Sequence, residues 1–271
     1  MPTISELVAD LAPEQAGLAA LVGGLSEADW DRATPSPGWS IGDQVAHLAS
    51  SEKAAALAVS DPEGFVKRRD SGSGPEDRQG STAAVGQSGA VMGLDHLREW
   101  TENCQRFQEA ARNAREGIRV PWVGRSMSVA SMVTARIMET WAHSRDIYDG
   151  LGAMHPPTAA LRHVAFLGYA TREFSYINRG LKPDYTPLRL ELIGPNGEGW
   201  SFGPAESGTQ AVTGLAEDFC LVVTRRRHLD DTGLSVEPGP AREWLLIAQA
   251  FAGPPGADPP RLVGPEAHKG Q

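Results

Sequence analysis

The chain has 271 residues, 41% of them hydrophobic, which suffices for one large domain or two modest ones with real cores. Its formal net charge is −9, so no general basic field attracts nucleic acid or anionic lipid. No apolar run approaches the ~20 residues that span a bilayer, and the start MPTISELVAD lacks the basic and apolar regions of a signal peptide. We therefore expect a cytoplasmic protein, a monomer or homodimer, whose partners are small molecules rather than nucleic acid or membranes.

Apolar residues recur at helical spacing four times in the first half of the chain. This pattern predicts helices from Ile4 to Gly23-Gly24 and over residues 41–59, 94–111 and 129–148. Ser40 with Asp43 forms a capping box before the second helix, and Ser128 can cap the fourth. Four helices in this stretch predict an antiparallel four-helix bundle over residues 1–152.

One segment inside the predicted bundle, residues 67–92, is dense in Gly, Ser and charged residues and has little apolar periodicity. This composition predicts a flexible loop. The loop is either a simple connector or a lid that orders over a pocket when a ligand binds.

The second half of the chain has a mixed pattern. A helix is predicted at 158–177, and alternating apolar residues on both sides of Pro195-Asn196-Gly197 predict a β-hairpin. A short strand, a helix capped by Thr213 that ends in three arginines, and a last helix in AREWLLIAQAFAG follow. We expect a small α/β domain at 153–253 and a disordered tail at 254–271, so the fold class is mainly α with a small α/β part.

The two cysteines, Cys104 and Cys220, each lie in an apolar helical pattern. They are predicted to be small buried hydrophobic residues, with a nucleophilic thiol or a disulfide as the alternatives. A metal ion would therefore have to be held mostly by histidine and carboxylate.

The segment METWAHSRD places Glu139 and His143 four residues apart, on the same face of a helix, where both can reach one ion. A catalytic metal site takes three protein ligands, and His47 in a facing helix can supply the third. The alternatives are an ordinary helix-surface pair and a core histidine. Arg136 and Asp146 lie one turn on either side of the pair, where each could orient a ligand or form a surface salt bridge.

Three stretches of this sequence resemble a known family. SPGWSIGDQVAHLA, followed about ninety residues later by METWAHSRDIYDGLG, is similar to the signature of the DinB-like metalloproteins, in the branch that includes mycothiol-dependent maleylpyruvate isomerase. VTGLAEDFCLVVTRRR is similar to a helix of that branch's C-terminal domain. Within the branch, the resemblance is to an actinobacterial subgroup of predicted metal-binding proteins.

The resemblance implies a ligand set and a functional arginine. The family's metal triad falls on His47, Glu139 and His143, and zinc is expected, although nickel, cobalt or iron would fit the same ligands. The arginine falls on Arg226, in a register that leaves Arg225 and Arg227 open. There it would contact a substrate carboxylate or a thiol cofactor. The alternative is a run of cations that complements the helix dipole.

These residues lead to a predicted function. We expect a metal-dependent enzyme that uses a low-molecular-weight, mycothiol-like thiol for isomerisation or S-transfer on a small electrophilic, carboxylate-bearing substrate. Arg226 and Asp146 are the predicted catalytic residues, and Arg225 and Arg226 the predicted thiol-binding residues. A metal-dependent hydrolase with Asp146 as base, and a non-catalytic, metal-stabilised binding module, are the alternatives.

Overall fold

The computed structural model describes residues 2–73, 90–122, 126–206 and 209–261. The chain divides into two compact units, residues 1–156 and 157–271. In the described part of the chain, no helix is long and apolar enough to cross a membrane.

Four long helices dominate the first unit and pack pairwise around a shared core, which confirms the mainly helical prediction. Buried residues at helical spacing on α3, among them Val45 and Leu48, meet Trp100 of α5 and Ile147 of α6 in this core. A small antiparallel hairpin precedes α6. The elements are α1 (Ile4–Gly23), α2 (Glu27–Trp30), α3 (Ile41–Ser60), α4 (Pro62–Arg68), α5 (Ala90–Asn113), β1 (Arg119–Pro121), β2 (Ser126–Ser128) and α6 (Val129–Leu151).

The two helices that carry the candidate ligands begin where their capping residues predict. The Ser40 backbone N–H donates to the Asp43 carboxylate at 2.8 Å, and the Asp43 N–H donates to Ser40 Oγ at 3.2 Å, which completes the capping box of α3. Ser128 Oγ accepts from the Ser131 N–H at 3.0 Å at the start of α6. Gly152, in the left-handed region with φ 67°, ends that helix.

The predicted loop at 67–92 is wrong over its first residues. Asp61 accepts from the Gly64 N–H at 2.9 Å and Pro62 occupies the first turn, so α4 starts here and continues into a π-helical turn at Arg69–Ser73. Buried Phe65 anchors this helix. Helix α5 already begins at Ala90, and residues 74–89, with the question of a lid, lie outside the described residues.

The second unit contains a four-stranded mixed sheet in the order β4-β3-β5-β6. Strands β3 and β4 form the predicted antiparallel hairpin, β5 runs parallel to β3, and β6 is antiparallel to β5. The elements are α7 (Leu161–Ala170), α8 (Arg172–Asn178), β3 (Leu188–Ile193), β4 (Gly199–Phe202), β5 (Gln210–Leu215), α9 (Ala216–Val223), β6 (Ser235–Val236) and α10 (Pro240–Ile247).

Three details of this unit differ from the prediction. The helix expected at 158–177 is broken at Thr171, whose Oγ1 donates to the carbonyl oxygen of Leu167 at 2.9 Å. Thr213 does not cap α9, because it lies in β5 opposite Glu191. Helix α9 ends at Val223, so the three arginines follow the helix rather than belong to it.

The stretch at 254–261, predicted to be part of a disordered tail, runs without helix or strand. Arg225 Nη2 donates to the carbonyl oxygen of Ala257 at 2.9 Å and to the carboxylate of Asp258 at 2.7 Å. Residues 262–271 lie outside the described residues.

Cys104 and Cys220 are free, buried and in different units. Burial raises the pKa of both thiols above the ordinary value, and the charge of Glu52 adds to this effect at Cys104. Both thiols therefore stay protonated and pack as small hydrophobic groups, as the sequence predicted.

Candidate metal centre

The packing of α3 against α6 brings three predicted ligands together. Glu139 Oε2 lies 3.2 Å from His47 Nε2 and 3.3 Å from His143 Nε2. The ring centroids of the two histidines are 4.5 Å apart. One donor atom from each residue lies within 4.8 Å of the other two. The side chains are 12–16% exposed, so the cluster is mostly buried but in contact with solvent.

A chain of hydrogen bonds fixes the orientation of His143. The carboxylate of Asp146 accepts from Gln44 Nε2 at 3.4 Å, and Thr34 Oγ1 accepts from the same nitrogen at 2.9 Å. Because a carboxylate is only an acceptor, Asp146 requires the amide nitrogen of Gln44 on its side. The amide oxygen of Gln44 therefore faces His143 and accepts a hydrogen bond from Nδ1.

This chain decides which nitrogen of His143 carries a lone pair. In a neutral imidazole only one nitrogen bears hydrogen, and here it is Nδ1. Nε2 then presents its lone pair to Glu139 Oε2, which is itself an acceptor. Such a contact is favourable only when a cation, either a proton on the ring or a metal ion, lies between the two atoms.

Glu139 is anionic in this environment. Burial by itself raises the pKa of Glu139, but the contacts with His143 and His47 and the charge of Arg136 outweigh burial and hold the pKa well below the ordinary value. An ionised carboxylate next to two imidazole nitrogens is a donor set that divalent transition metals accept.

Trp39 is a residue of the centre that the sequence analysis missed. Its half-buried ring meets His47 edge to face at a centroid distance of 5.5 Å and stacks on His143 at 6.0 Å. Trp39 lies one residue before the N-cap of α3, inside the motif SPGWS. An aromatic residue directly before a helix that carries a candidate ligand was the sequence signal that could have identified it. The ring covers one side of the histidine pair and limits access of water.

Asp146, predicted as a catalytic base, is 2% exposed and accepts from Ser36 Oγ at 2.9 Å as well as from Gln44. A buried carboxylate engaged in this way can orient its partners, and this role stands beside that of a base as a prediction from the sequence. Gln44 was also missed, although its position three residues before His47 places it on the same face of α3.

The predicted functional arginines belong to the second unit. Arg225 has φ 60°, unusual for a residue with a side chain, and its side chain is 7% exposed and paired with Asp258. Arg226 is half-buried, and its Nη1 donates to the carbonyl oxygen of Thr224 at 2.8 Å. Arg225 is thus committed to a contact within its own unit.

The protein combines a helical unit, which has a His/Glu/His cluster between two helices, with a small α/β unit that follows it. This combination characterises its class. The family described as mycothiol maleylpyruvate isomerase N-terminal domain matches residues 11–148, and the chain belongs to this family. Family membership confirms the resemblance predicted from the sequence and supports an enzyme with isomerase activity.

Individual relatives extend the match over nearly the whole chain. The uncharacterized proteins MT0041 and Rv0036c of two Mycobacterium tuberculosis strains are each 42% identical over 249 residues, which is 92% of this chain and 96% of the relative. Crystal structures of the mycothiol-dependent maleylpyruvate isomerase and of a mutant of it are similar in fold, with TM-scores of 0.57 and 0.54. Both are 18% identical to this chain and cover 87% of it and 96% of the solved chain.

Proposed function

We propose that the protein is a metal-dependent enzyme that uses mycothiol, or a similar low-molecular-weight thiol, on a small electrophilic substrate that carries a carboxylate. His47, Glu139 and His143 would hold a divalent ion, with zinc as the expected metal. The observation that carries the proposal is the convergence of His47 Nε2 and His143 Nε2 on Oε2 of the anionic Glu139, at 3.2 and 3.3 Å. A metal ion satisfies both histidines and the carboxylate at once.

The distances in the cluster fit such an ion. Metal–ligand bonds of about 2.0–2.1 Å in a tetrahedral arrangement place neighbouring ligand atoms about 3.3 Å apart. The two nitrogen–oxygen distances here are 3.2 and 3.3 Å. Three protein ligands leave an open position, where a bound ion would lower the pKa of a coordinated thiol.

The residues of the chain have separate tasks in this proposal. Glu139 supplies negative charge, Gln44 and Asp146 hold the ring of His143, and Trp39 shields the histidine pair. Arg226 is proposed to contact an anionic group of the thiol or the substrate, because a guanidinium pairs well with a carboxylate. Arg225, already paired with Asp258, is the weaker candidate for this contact.

The proposed chemistry is reversible addition of the thiol. Its sulfur forms a C–S bond to one carbon of an activated double bond, the remaining single bond rotates, and elimination breaks the C–S bond and returns the thiol. Displacement of a leaving group by the same sulfur gives S-transfer instead. The family name, and the names of the solved structures with this fold, favour isomerisation. A cytoplasmic location and a monomer or homodimer are part of the same proposal.

The experiment is a titration of cobalt-loaded protein with mycothiol and with simpler thiols. We expect mycothiol to change the visible cobalt spectrum at one equivalent, and Arg226→Ala to weaken this titration without changing the cobalt content. Arg112→Ala, on an exposed face of α5, is the matched control and should titrate like the parent protein. A cobalt spectrum that no thiol alters would contradict the thiol-dependent function. It would favour the alternatives, a metal-dependent hydrolase or a non-catalytic binding module.

A further inference from the structure

A second group of polar side chains is buried within the helices of the first unit. Glu52 lies on α3, five residues beyond His47, and Arg136 lies on α6, three residues before Glu139. Residue exposures in this group are 3% or less. Within the described parts of the chain, six of its buried atoms have no hydrogen-bond partner: Gln15 Nε2, Glu52 Oε1, Trp100 Nε1, Arg136 Nε, Arg136 Nη1 and Thr140 Oγ1.

Helix geometry places Glu52 near Arg136, because the contacts of Gln44 with His143 and of His47 with Glu139 show that α3 and α6 run antiparallel. Electrostatic effects agree with this placement and add Gln15. Burial raises the pKa of Glu52 to about 7, although the charge of Arg136 and a side-chain hydrogen bond with Gln15 both lower it. Glu52 and Arg136 in turn both act on Cys104 of α5. Thr140 lies one turn beyond Arg136 on the same face of α6. We call this group of buried side chains, Gln15, Glu52, Arg136 and Thr140, the polar chamber.

A dry polar chamber would be costly. Each buried donor or acceptor without a partner costs about 1–3 kcal/mol, and more when it is charged. Native proteins avoid this cost by placing ordered water against such atoms. Water can bridge a carboxyl group and a guanidinium that are close but farther apart than an ion pair.

Arg136 also connects the polar chamber to the candidate metal centre. Its Nη2 lies 3.9 Å from Glu139 Oε1, whereas the other oxygen of Glu139, Oε2, faces the two histidines. The guanidinium packs over the ring of Trp122, 5.7 Å from its centroid. Arg136 can therefore hold Oε1 and leave Oε2 free for the metal.

We propose that water in the polar chamber bridges Glu52 to Arg136, and that Glu52 is a positioning residue which sets Arg136 against Oε1 of Glu139. The bridge is a property of the chain itself, whereas its effect on a metal ligand rests on the proposed function. The Nε and Nη1 atoms of Arg136 have no hydrogen-bond partner. Within this buried group, Glu52 is the acidic residue, and it can therefore supply the negative charge on that side of the guanidinium.

The bridge is tested by thermal unfolding of the metal-free protein at about pH 8, with Glu52→Gln, Arg136→Met and the double variant. Removing one partner leaves the other buried and uncompensated, so each single variant should lower the Tm by several degrees. The double variant should regain much of this loss. Exposed Glu102→Gln, combined with Arg136→Met, is the matched control and should be additive. Additive losses for Glu52 and Arg136 would overturn the bridge.

The positioning role is tested by cobalt affinity. Glu52→Gln should weaken binding by about tenfold and alter the cobalt spectrum, and Glu52→Asp, which keeps the charge, should restore most of both. Unchanged affinity and spectrum in Glu52→Gln would overturn the positioning role. A parent protein that binds no cobalt would refute the proposed function, whereas the unfolding cycle would still decide the bridge. A high-resolution crystal structure with no water between Glu52 and Arg136 would also contradict it.

Discussion

Gln44 decides the chemistry of His143 because an amide has one donating and one accepting end. Its nitrogen is directed to Asp146 and Thr34, so its oxygen must take the hydrogen of His143 Nδ1. Residue type and spacing made His47, Glu139 and His143 candidate ligands, and the family resemblance implied all three as one set. The sequence could not predict this orientation, because the partners of Gln44 come from a loop and from another helix.

At this residue we predict that Gln44→Ala weakens the affinity for zinc by about 10- to 100-fold, since His143 loses the group that fixes its ring and tautomer. Competition with a chromophoric chelator measures the dissociation constant. Gln105→Ala, on the exposed face of α5, is the control and should bind like the parent protein. Equal affinities in both variants would show that the hydrogen-bond chain has no influence on the centre.

The pKa of Glu52 leads to a prediction about how the free energy of unfolding depends on pH. Burial raises its pKa from 4.5 to about 7, against the lowering charge of Arg136 and contact with Gln15, and with a further raising effect of Glu139. The folded protein then holds a proton that the unfolded chain releases. The resulting stabilisation is complete below about pH 4.5 and is lost as the pH rises to about 7.

The measurement is urea unfolding of the parent protein and of Glu52→Gln at several pH values between 4.5 and 8. The free energy of unfolding of the parent, minus that of the variant, should fall across this window. A difference that is constant or rises with pH would contradict the assignment, because all other titrating groups are common to both proteins.

At the scale of elements, local signals predicted α3 and α6 well, because both helices have a capping serine and buried residues at helical spacing. The errors arose where distant contacts or short-range capping overrode the pattern. Thr213 was predicted as a cap but is paired with β3, and a composition typical of loops concealed the helical structure that continues from α4 to Ser73. Thr171 breaks a helix that its apolar spacing alone would continue.

The capping box of α3 yields a prediction at this scale. Ser40→Ala removes the acceptor for the Asp43 N–H and should lower the free energy of unfolding by about 1 kcal/mol. Urea unfolding measures the change. Ser26→Ala, in the capping box of the single-turn helix α2, is the matched control and should cost less, because that helix positions no ligand and spans four residues. A smaller loss for Ser40→Ala than for Ser26→Ala would be evidence against this account of α3.

At the scale of the molecule, the division into a helical part and a small α/β part was predictable, because the hydrophobic period changes from helical to alternating near residue 188. The triad was predicted because its two motifs, about ninety residues apart, resemble the signature of the family. The polar chamber was not, because its members come from three different helices and only Thr140 belongs to a motif. The pairing of Arg225 with Asp258 likewise depends on the path of the chain after α10.

The central claim is that His47, Glu139 and His143 hold one divalent ion, and equilibrium dialysis against zinc with elemental analysis tests it most directly. The account predicts one zinc per chain in the parent protein and a large loss of binding in His47→Ala, while His96→Ala, on α5 and outside the cluster, keeps one zinc per chain. A parent protein that binds no zinc, or a His47→Ala variant that retains the full equivalent, would contradict it.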